Sequence, residues 1–243
     1  METRVTEVGD GIHQLTTRIP GFELGFNQYL IGGDEPALFH TGMRSLFPSV
    51  SEAIGRVVPL DSLRWITFGH IEADESGAMN QFLAAAPRAE VAHGFVGCMV
   101  SLGDLADRPP RALADGEVLE TGGHRLRWID TPHVPHGWEA GLIFDETTGT
   151  LLCGDLFTQW GDYDATDATD VVGPALEADA RDDYGSWSLH PETAATIRRL
   201  VDLEPTALAL MHGPTFVGDG GAQLRQLADA VEARVARQPA TVS

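Results

Sequence analysis

Four apolar runs of this chain each lead into residues that bind divalent metals, and this constrains the fold more than any other feature. The first run is Trp65-Ile66-Thr67-Phe68, followed by His70-Ile71-Glu72-Ala73-Asp74. Three candidates come later: His133 in Thr131-Pro132-His133, Asp155 in Gly154-Asp155-Leu156-Phe157, and His212 in Met211-His212-Gly213. Side chains this far apart in sequence can act together only if the strand ends that carry them share one edge. Imidazole and carboxylate together suit iron, manganese or zinc. Three imidazoles and three carboxylates suffice for two metals with one carboxylate shared. A lone HxExD arises by chance, and each residue could be an ordinary polar group at a strand end. Recurrence of the same setting at three later points carries the metal reading.

The hydrophobic pattern supplies strands and helices in an order that could build such an edge. Strands are expected over Gly11–Thr16, Phe26–Ile31, Ala37–His40, Trp65–Phe68 and Glu90–Ala92. Gly116–Leu119 with Arg125–Ile129, and Ala140–Phe144 with Thr150–Cys153, read as hairpins. A last strand, Ala207–Leu210, leads to His212. Helices are expected over Ser49–Val58, Ser76–Ala85 (with Ser76 as its cap), Pro191–Leu203 and Gln223–Arg237. Strands then helices, twice over, fit an α/β sandwich of two mixed sheets packed face to face with helices outside.

Charge and composition exclude several partners. The formal net charge is −20 over 243 residues. Neither a nucleic-acid backbone nor an anionic membrane surface attracts such a chain. No run of about eighteen apolar residues exists to span a membrane, and the start, Met1-Glu2-Thr3-Arg4-Val5, lacks the apolar core of a signal peptide. With only two cysteines, Cys98 and Cys153, a cytoplasmic protein with reduced thiols is expected. Cys153 reads as buried filler, and Cys98 as the more reactive of the two. A homo-oligomer is expected.

The order HxExD, TPH, GDLF and a late MHG resembles the metallo-β-lactamase superfamily. Within it the chain is most similar to the diiron domain of flavodiiron proteins, because Glu72 stands where most zinc hydrolases of the superfamily carry a second His. The resemblance runs from about Gly11 to about Thr215, and Phe26–Ile31 is similar to the early strand of that fold. It implies one αββα domain over residues 1–243. It also implies that His70, Glu72 and His133 hold a first metal, that Asp74 and His212 hold a second, and that Asp155 bridges them. The family motif continues with His after the Asp, whereas this chain has Glu75. The second position therefore loses a nitrogen, gains a carboxylate or stays open, which resembles a group of stand-alone oxygen-binding diiron proteins. Flavodiiron proteins carry a flavodoxin domain after the diiron domain. This sequence stops at Ser243 after one more helix, so no flavin is expected in this chain and electrons would come from an external reductase.

Four residues are expected around the ligands: Glu75; His40, where the superfamily commonly has Asp; His136, three residues after His133; and Tyr163, roofing the site with Trp160. The acidic stretch Thr158–Trp187 reads as a solvated loop passing close to the metals, with Arg181 its sole counter-charge. Glu72 adds negative charge to the ligand set, which hardens it and favours ferric iron. The expected function is a non-haem diiron protein that binds O2, or reduces it with an external donor. The alternative is a dinuclear zinc hydrolase acting on an ester, thioester, lactam or phosphodiester. A third reading is a metal-stabilised module without turnover.

Overall fold

The computed structural model describes residues 1–167, 169–181 and 186–237. The first sheet runs β1 (Thr3–Gly9), β2 (Ile12–Arg18), β3 (Gly25–Ile31), β4 (Ala37–Phe39), β5 (Trp65–Thr67), β6 (Glu90–Gly94) and β7 (Arg111–Leu113), in that spatial order. Its first four strands pair antiparallel and its last four parallel. The second sheet contains β8 (Val118–Glu120), β9 (Arg125–Asp130), β10 (Gly141–Asp145), β11 (Thr150–Leu152), β12 (Thr166–Asp167), β13 (Ala207–Ala209) and β14 (Thr215–Val217). Its spatial order is β12-β14-β13-β11-β10-β9-β8, again mixed.

Apolar side chains form three layers. Tyr29, Ile31, Phe39, Trp65, Leu126, Trp128, Ile143 and Leu152 fill the space between the sheets. Outside the first sheet, Leu30, Leu38 and Ile66 meet Val50 and Ile54 of α1 (Phe47–Gly55). Pro48 opens that helix, where its missing N–H costs nothing. The segment after β5 forms α2 (Ala73–Ser76) and α3 (Met79–Ala85), whose Phe82 and Leu83 join the same layer. After β6 comes a helical stretch made of α4 (Phe95–Gly97), a π-turn at Cys98–Leu102 and α5 (Gly103–Leu105). Outside the second sheet lie α6 (Val172–Arg181), α7 (Thr193–Val201) and α8 (Gly220–Val235). In α8, Leu224, Leu227, Ala228 and Val231 recur at helical spacing and are buried. Asp219 caps it by accepting from the Ala222 N–H at 2.8 Å. The expected αββα sandwich is the fold observed. Among the described residues no helix is long and apolar enough to cross a membrane.

Two expectations are corrected. Ser76 does not cap one long helix: it ends α2, with its hydroxyl on the Glu72 carbonyl at 2.8 Å, and a second helix starts at Met79. Nor is the acidic stretch simply a solvated loop. Asp170 accepts from the Val172 and Gly173 N–H groups and starts α6, and Val171, Val172, Ala175 and Trp187 enter the outer core. The helical period was masked there by acidic residues, of which Asp179 is buried against Arg234. Arg181 pairs with Glu23 rather than within the stretch. Asp182 and Asp183 of that stretch lie outside the described residues.

One close approach ties the fold to the segment that carries His70. The Gly141 N–H donates to the Gly69 carbonyl at 2.8 Å, joining the two sheets beside His70. A Cβ on Gly141 would stand 2.1 Å from the Trp128 ring, which is fully buried and held by its N–H to Asp130 at 2.7 Å. The ring has nowhere to retreat. Gly141→Ala should therefore destabilise the protein by about 1–3 kcal/mol, the usual cost of overpacking, read as a lower urea midpoint with an unchanged slope.

Candidate metal centre

The ends of β5, β11 and β13 and the β9–β10 turn meet at one edge of the sandwich. His70, Glu72 and Asp74 leave β5, Asp155 leaves β11, and His212 leaves β13. Two donor groups result. His70 Nε2 lies 3.4 Å from Glu72 Oε1 and 3.9 Å from Asp155 Oδ2. His136 Nε2 lies 3.5 Å from Glu72 Oε1 and 3.7 Å from Asp155 Oδ2. These four residues offer ligand atoms all within 4.8 Å of one another. On the other side of Asp155, His212 Nε2 lies 3.3 Å from Asp74 Oδ2 and 3.4 Å from Asp155 Oδ1. Asp155 thus turns one oxygen to each group.

His133 does not join this set, which corrects the expectation for the β9–β10 turn. The turn is closed by the His133 N–H to Gly137 O and the Val134 N–H to Thr131 O, both at 2.8 Å. It holds His133 at φ 65, a conformation His tolerates better than most side chains. The His133 ring points away and stacks on His190 at 5.2 Å, and His136 turns inward. Two His residues three apart gave the sequence no means of choosing. Tyr163 is not a roof over the cluster either. Its ring packs under Arg18 and its hydroxyl lies against Gly25, whose carbonyl accepts from His212 Nδ1–H at 2.7 Å. Tyr163 therefore stands behind His212, lining a cleft of about 680 Å³ with Arg4, Arg18 and Arg56. Trp160 packs near Arg181. His40 and Glu75 are fully buried and 3.3 Å apart, and Glu75 also lies 3.2 Å from His70 Nδ1.

Sequence reasoning missed Glu139, His93 and Asn27. Glu139 accepts the Ile71 N–H at 3.2 Å within the metal-motif loop. His93 is buried between Phe68 and Trp128, and burial pushes it down to about 4, so it is neutral at pH 7. Neither carries a local sequence signal, since both act through contacts across the fold. Asn27 had a partial signal, a polar residue inside an otherwise buried strand. Cys98, expected to be the more reactive of the two cysteines, is buried, and burial pushes its thiol up to about 11, which keeps it protonated. Neither cysteine is in a disulfide.

The chemistry of the donors fits bound cations. Burial pushes His70 down, but the Glu75, Glu72 and Asp155 carboxylates outweigh it and push it up to about 12. Burial also opposes the charge on His212, yet Asp74 and Asp155 push it up to about 9. His136 is raised by Glu72, and Glu72 is held far below the usual carboxylate range by His136 and His70. Asp155 is raised by burial. The carboxylates gathered here call for positive charge, from protons or from metal ions. On the side of the donor space, His70 Nε2 and Asp155 Oδ1 are buried without hydrogen-bond partners. Bonds of about 2.1 Å around a tetrahedral metal place donors roughly 3.4 Å apart, close to the spacings described above. The edge is open on one side, since the Glu72 side chain is 50% exposed and that of His70 only 2%.

A two-sheet sandwich with two such donor groups at its strand ends belongs to the metal-binding β-lactamase-like class. The chain is a member of the ODP family beta lactamase, which matches residues 24–177. It is 29% identical over 196 residues to "Putative diflavin flavoprotein A 1" of Thermosynechococcus vestitus, across 78% of this chain and 34% of that protein. It is 28% identical to "Putative diflavin flavoprotein A 2" of Synechocystis sp., across 78% and 33%. The chain thus spans about a third of the length of the curated relatives it matches. Its fold matches a solved fragment of diflavin flavoprotein A 5 from Nostoc sp. with TM-score 0.81 and 18% identity, covering 96% of both chains. It also matches rubredoxin oxygen:oxidoreductase from Desulfovibrio gigas, with TM-score 0.78 and 16% identity, over 97% of this chain and 62% of that one. The fold is also that of a solved flavodiiron core, Flv1 from Synechocystis sp., with TM-score 0.75 and 22% identity over 98% of this chain and 62% of that one.

The turn carrying His212 is fixed from the opposite sheet. Asn27 Nδ2 donates to Leu210 O at 2.9 Å and to Gly213 O at 2.7 Å, and the Asn27 N–H donates to Met211 O at 3.0 Å. Tyr29 also donates to Leu210 O, at 2.8 Å. Asn27→Leu should orphan the Gly213 carbonyl and cost about 1–3 kcal/mol. Hydrogen exchange should show faster opening of residues 210–213, whereas a surface substitution on α8 should leave that segment unchanged.

Proposed function

We propose that the chain binds two iron ions and uses them to bind or reduce O2, with electrons from a separate reductase. The carrying observation is a donor set in which three carboxylates match three imidazoles: Glu72, Asp74 and Asp155 face the donor space with His70, His136 and His212. Such a set is hard and anionic, and it suits iron that cycles between ferrous and ferric. The family, the relatives named as diflavin flavoproteins and the solved flavodiiron core that shares the fold support this reading. In it, His70, Glu72, His136 and Asp155 hold the first ion and Asp74, His212 and Asp155 the second.

An iron pair bound here would supply one-electron chemistry with O2. The protein does the rest. His212 Nδ1–H on Gly25 O leaves Nε2 to face Asp74 and Asp155. The exposed side of Glu72 and the half-buried His136 admit a small molecule, while the floor of His70, Glu75 and Phe68 is buried. We place the protein in the cytoplasm as one domain and a homo-oligomer, with no nucleic acid or membrane as partner.

Iron-grown protein isolated without air should contain close to two iron per chain. Mixing the reduced protein with oxygenated buffer should give a new absorption that a chemical reductant reverses. Less than one metal in fully folded protein counts against the reading. So does zinc-loaded protein that cleaves a thioester or lactam at enzymatic rates while the iron form ignores O2. His136→Ala should weaken the first position by more than the roughly 10–100-fold that loss of an outer partner costs, and His133→Ala should leave it unchanged. Equal effects of the two substitutions would overturn the choice of His136 over His133.

Metal uptake should also release protons. His70 and His212, raised to about 12 and about 9, are both protonated at pH 7 in the metal-free protein, whereas metals bind the neutral ring. Raising the pH from 7 through about 9 removes the His212 proton, so affinity at the second position should rise across that window. Calorimetry in two buffers of different ionisation heat counts the protons. Release of none would contradict the assignment.

A further inference from the structure

Glu75 is the acidic residue of the 70–75 segment that turns inward. Glu72 faces His136 and Asp74 faces His212, whereas Glu75 is 0% exposed and lies behind His70. Its Oε1 sits 3.2 Å from His70 Nδ1 and 3.3 Å from His40 Nε2. Its Oε2 accepts the backbone N–H of His70 at 2.7 Å. The place is fitted to a carboxylate. A Cβ on Gly69 would stand 3.2 Å from Oε2, and one on Gly154 3.3 Å from Oε1, so two glycines make the room. The Glu75 backbone is fixed as well, since its carbonyl accepts the Thr41 N–H at 2.6 Å and the Thr41 hydroxyl at 3.0 Å.

We propose that Glu75 is the positioning residue of the first metal position, holding the proton of His70 on Nδ1 so that Nε2 faces Glu72, His136 and Asp155, with His40 as the second donor that fixes the carboxylate. This rests on the metal reading above. A ligating imidazole whose other nitrogen donates to a carboxylate is oriented and made a better ligand. Three donors surround Glu75: one backbone N–H and two ring nitrogens. A carboxylate can accept from all of them. An amide has a single acceptor oxygen, and its NH2 must then confront a donor. Glu75 is accordingly no donor to the second position, which receives only Asp74, Asp155 and His212 from the described residues.

Two measurements test this on the full chain. In zinc-loaded protein, nitrogen-15 resonances of His70 should show a protonated Nδ1 and a metal-bound Nε2. Cobalt(II) titration of metal-free protein, followed by visible absorption, should show first-position affinity reduced roughly 10–100-fold in Glu75→Gln and partly restored in Glu75→Asp, with the second position little changed. A metal-bound Nδ1 on His70, or wild-type affinity in Glu75→Gln, overturns the assignment. If Glu75→Gln does not fold, the resonances of the wild-type protein decide alone. Wild-type protein that takes up no metal sinks the metal reading and this inference together. Two ions bound equally well by wild type and Glu75→Gln sink the inference only.

Discussion

Like charges held close together govern this structure. Glu72, Asp74, Glu75 and Asp155 converge on one edge of the sandwich, and Glu75 and Asp155 are buried there. Carboxylates that close repel unless cations lie between them. The imidazoles of His70, His136 and His212 fill that role in the metal-free protein, which is why all three are shifted toward the charged form. The remaining architecture serves to bring these groups together. Strands of both sheets end at one edge, short helices start beside it, and glycines let backbone pass close to the buried carboxylate.

Much of this was legible in the sequence because strand ends and metal-binding residue types coincide. The run before His70, the hairpins before His136 and Asp155, and the strand before His212 all form close to where the apolar pattern places them. The rest was hidden for identifiable reasons. β1 and β7 are short of apolar alternation, and α6 carries so many acids that its buried face at Val172, Ala175 and Ala178 does not stand out. The choice of His136 over His133 depends on backbone dihedrals of one turn, which no side-chain pattern records. In the sequence Glu75 left a lost nitrogen, a gained carboxylate and an open position all standing, and it was expected around the ligands. In the structure it is buried behind the site, beside His70 and His40.

The donors also divide by sheet. His70, Glu72 and Asp74 hang from the first sheet, whereas His136, Asp155 and His212 hang from the second. Asn27, Tyr29 and the Gly69–Gly141 contact already join the sheets along this same edge. The site is thus built on a seam, where a rigid scaffold places loop residues from two directions.

Asp155, with one oxygen turned to each donor group, would couple two cations held there. A cation on one oxygen draws electron density from the carboxylate and orients it, so the second binding event meets a ligand already fixed but less basic. Reciprocity requires that each position change the other by the same factor. The filling of such a pair would be a single curve with a shape set by that shared carboxylate, and the larger of the two effects would decide whether half-filled protein is rare or favoured.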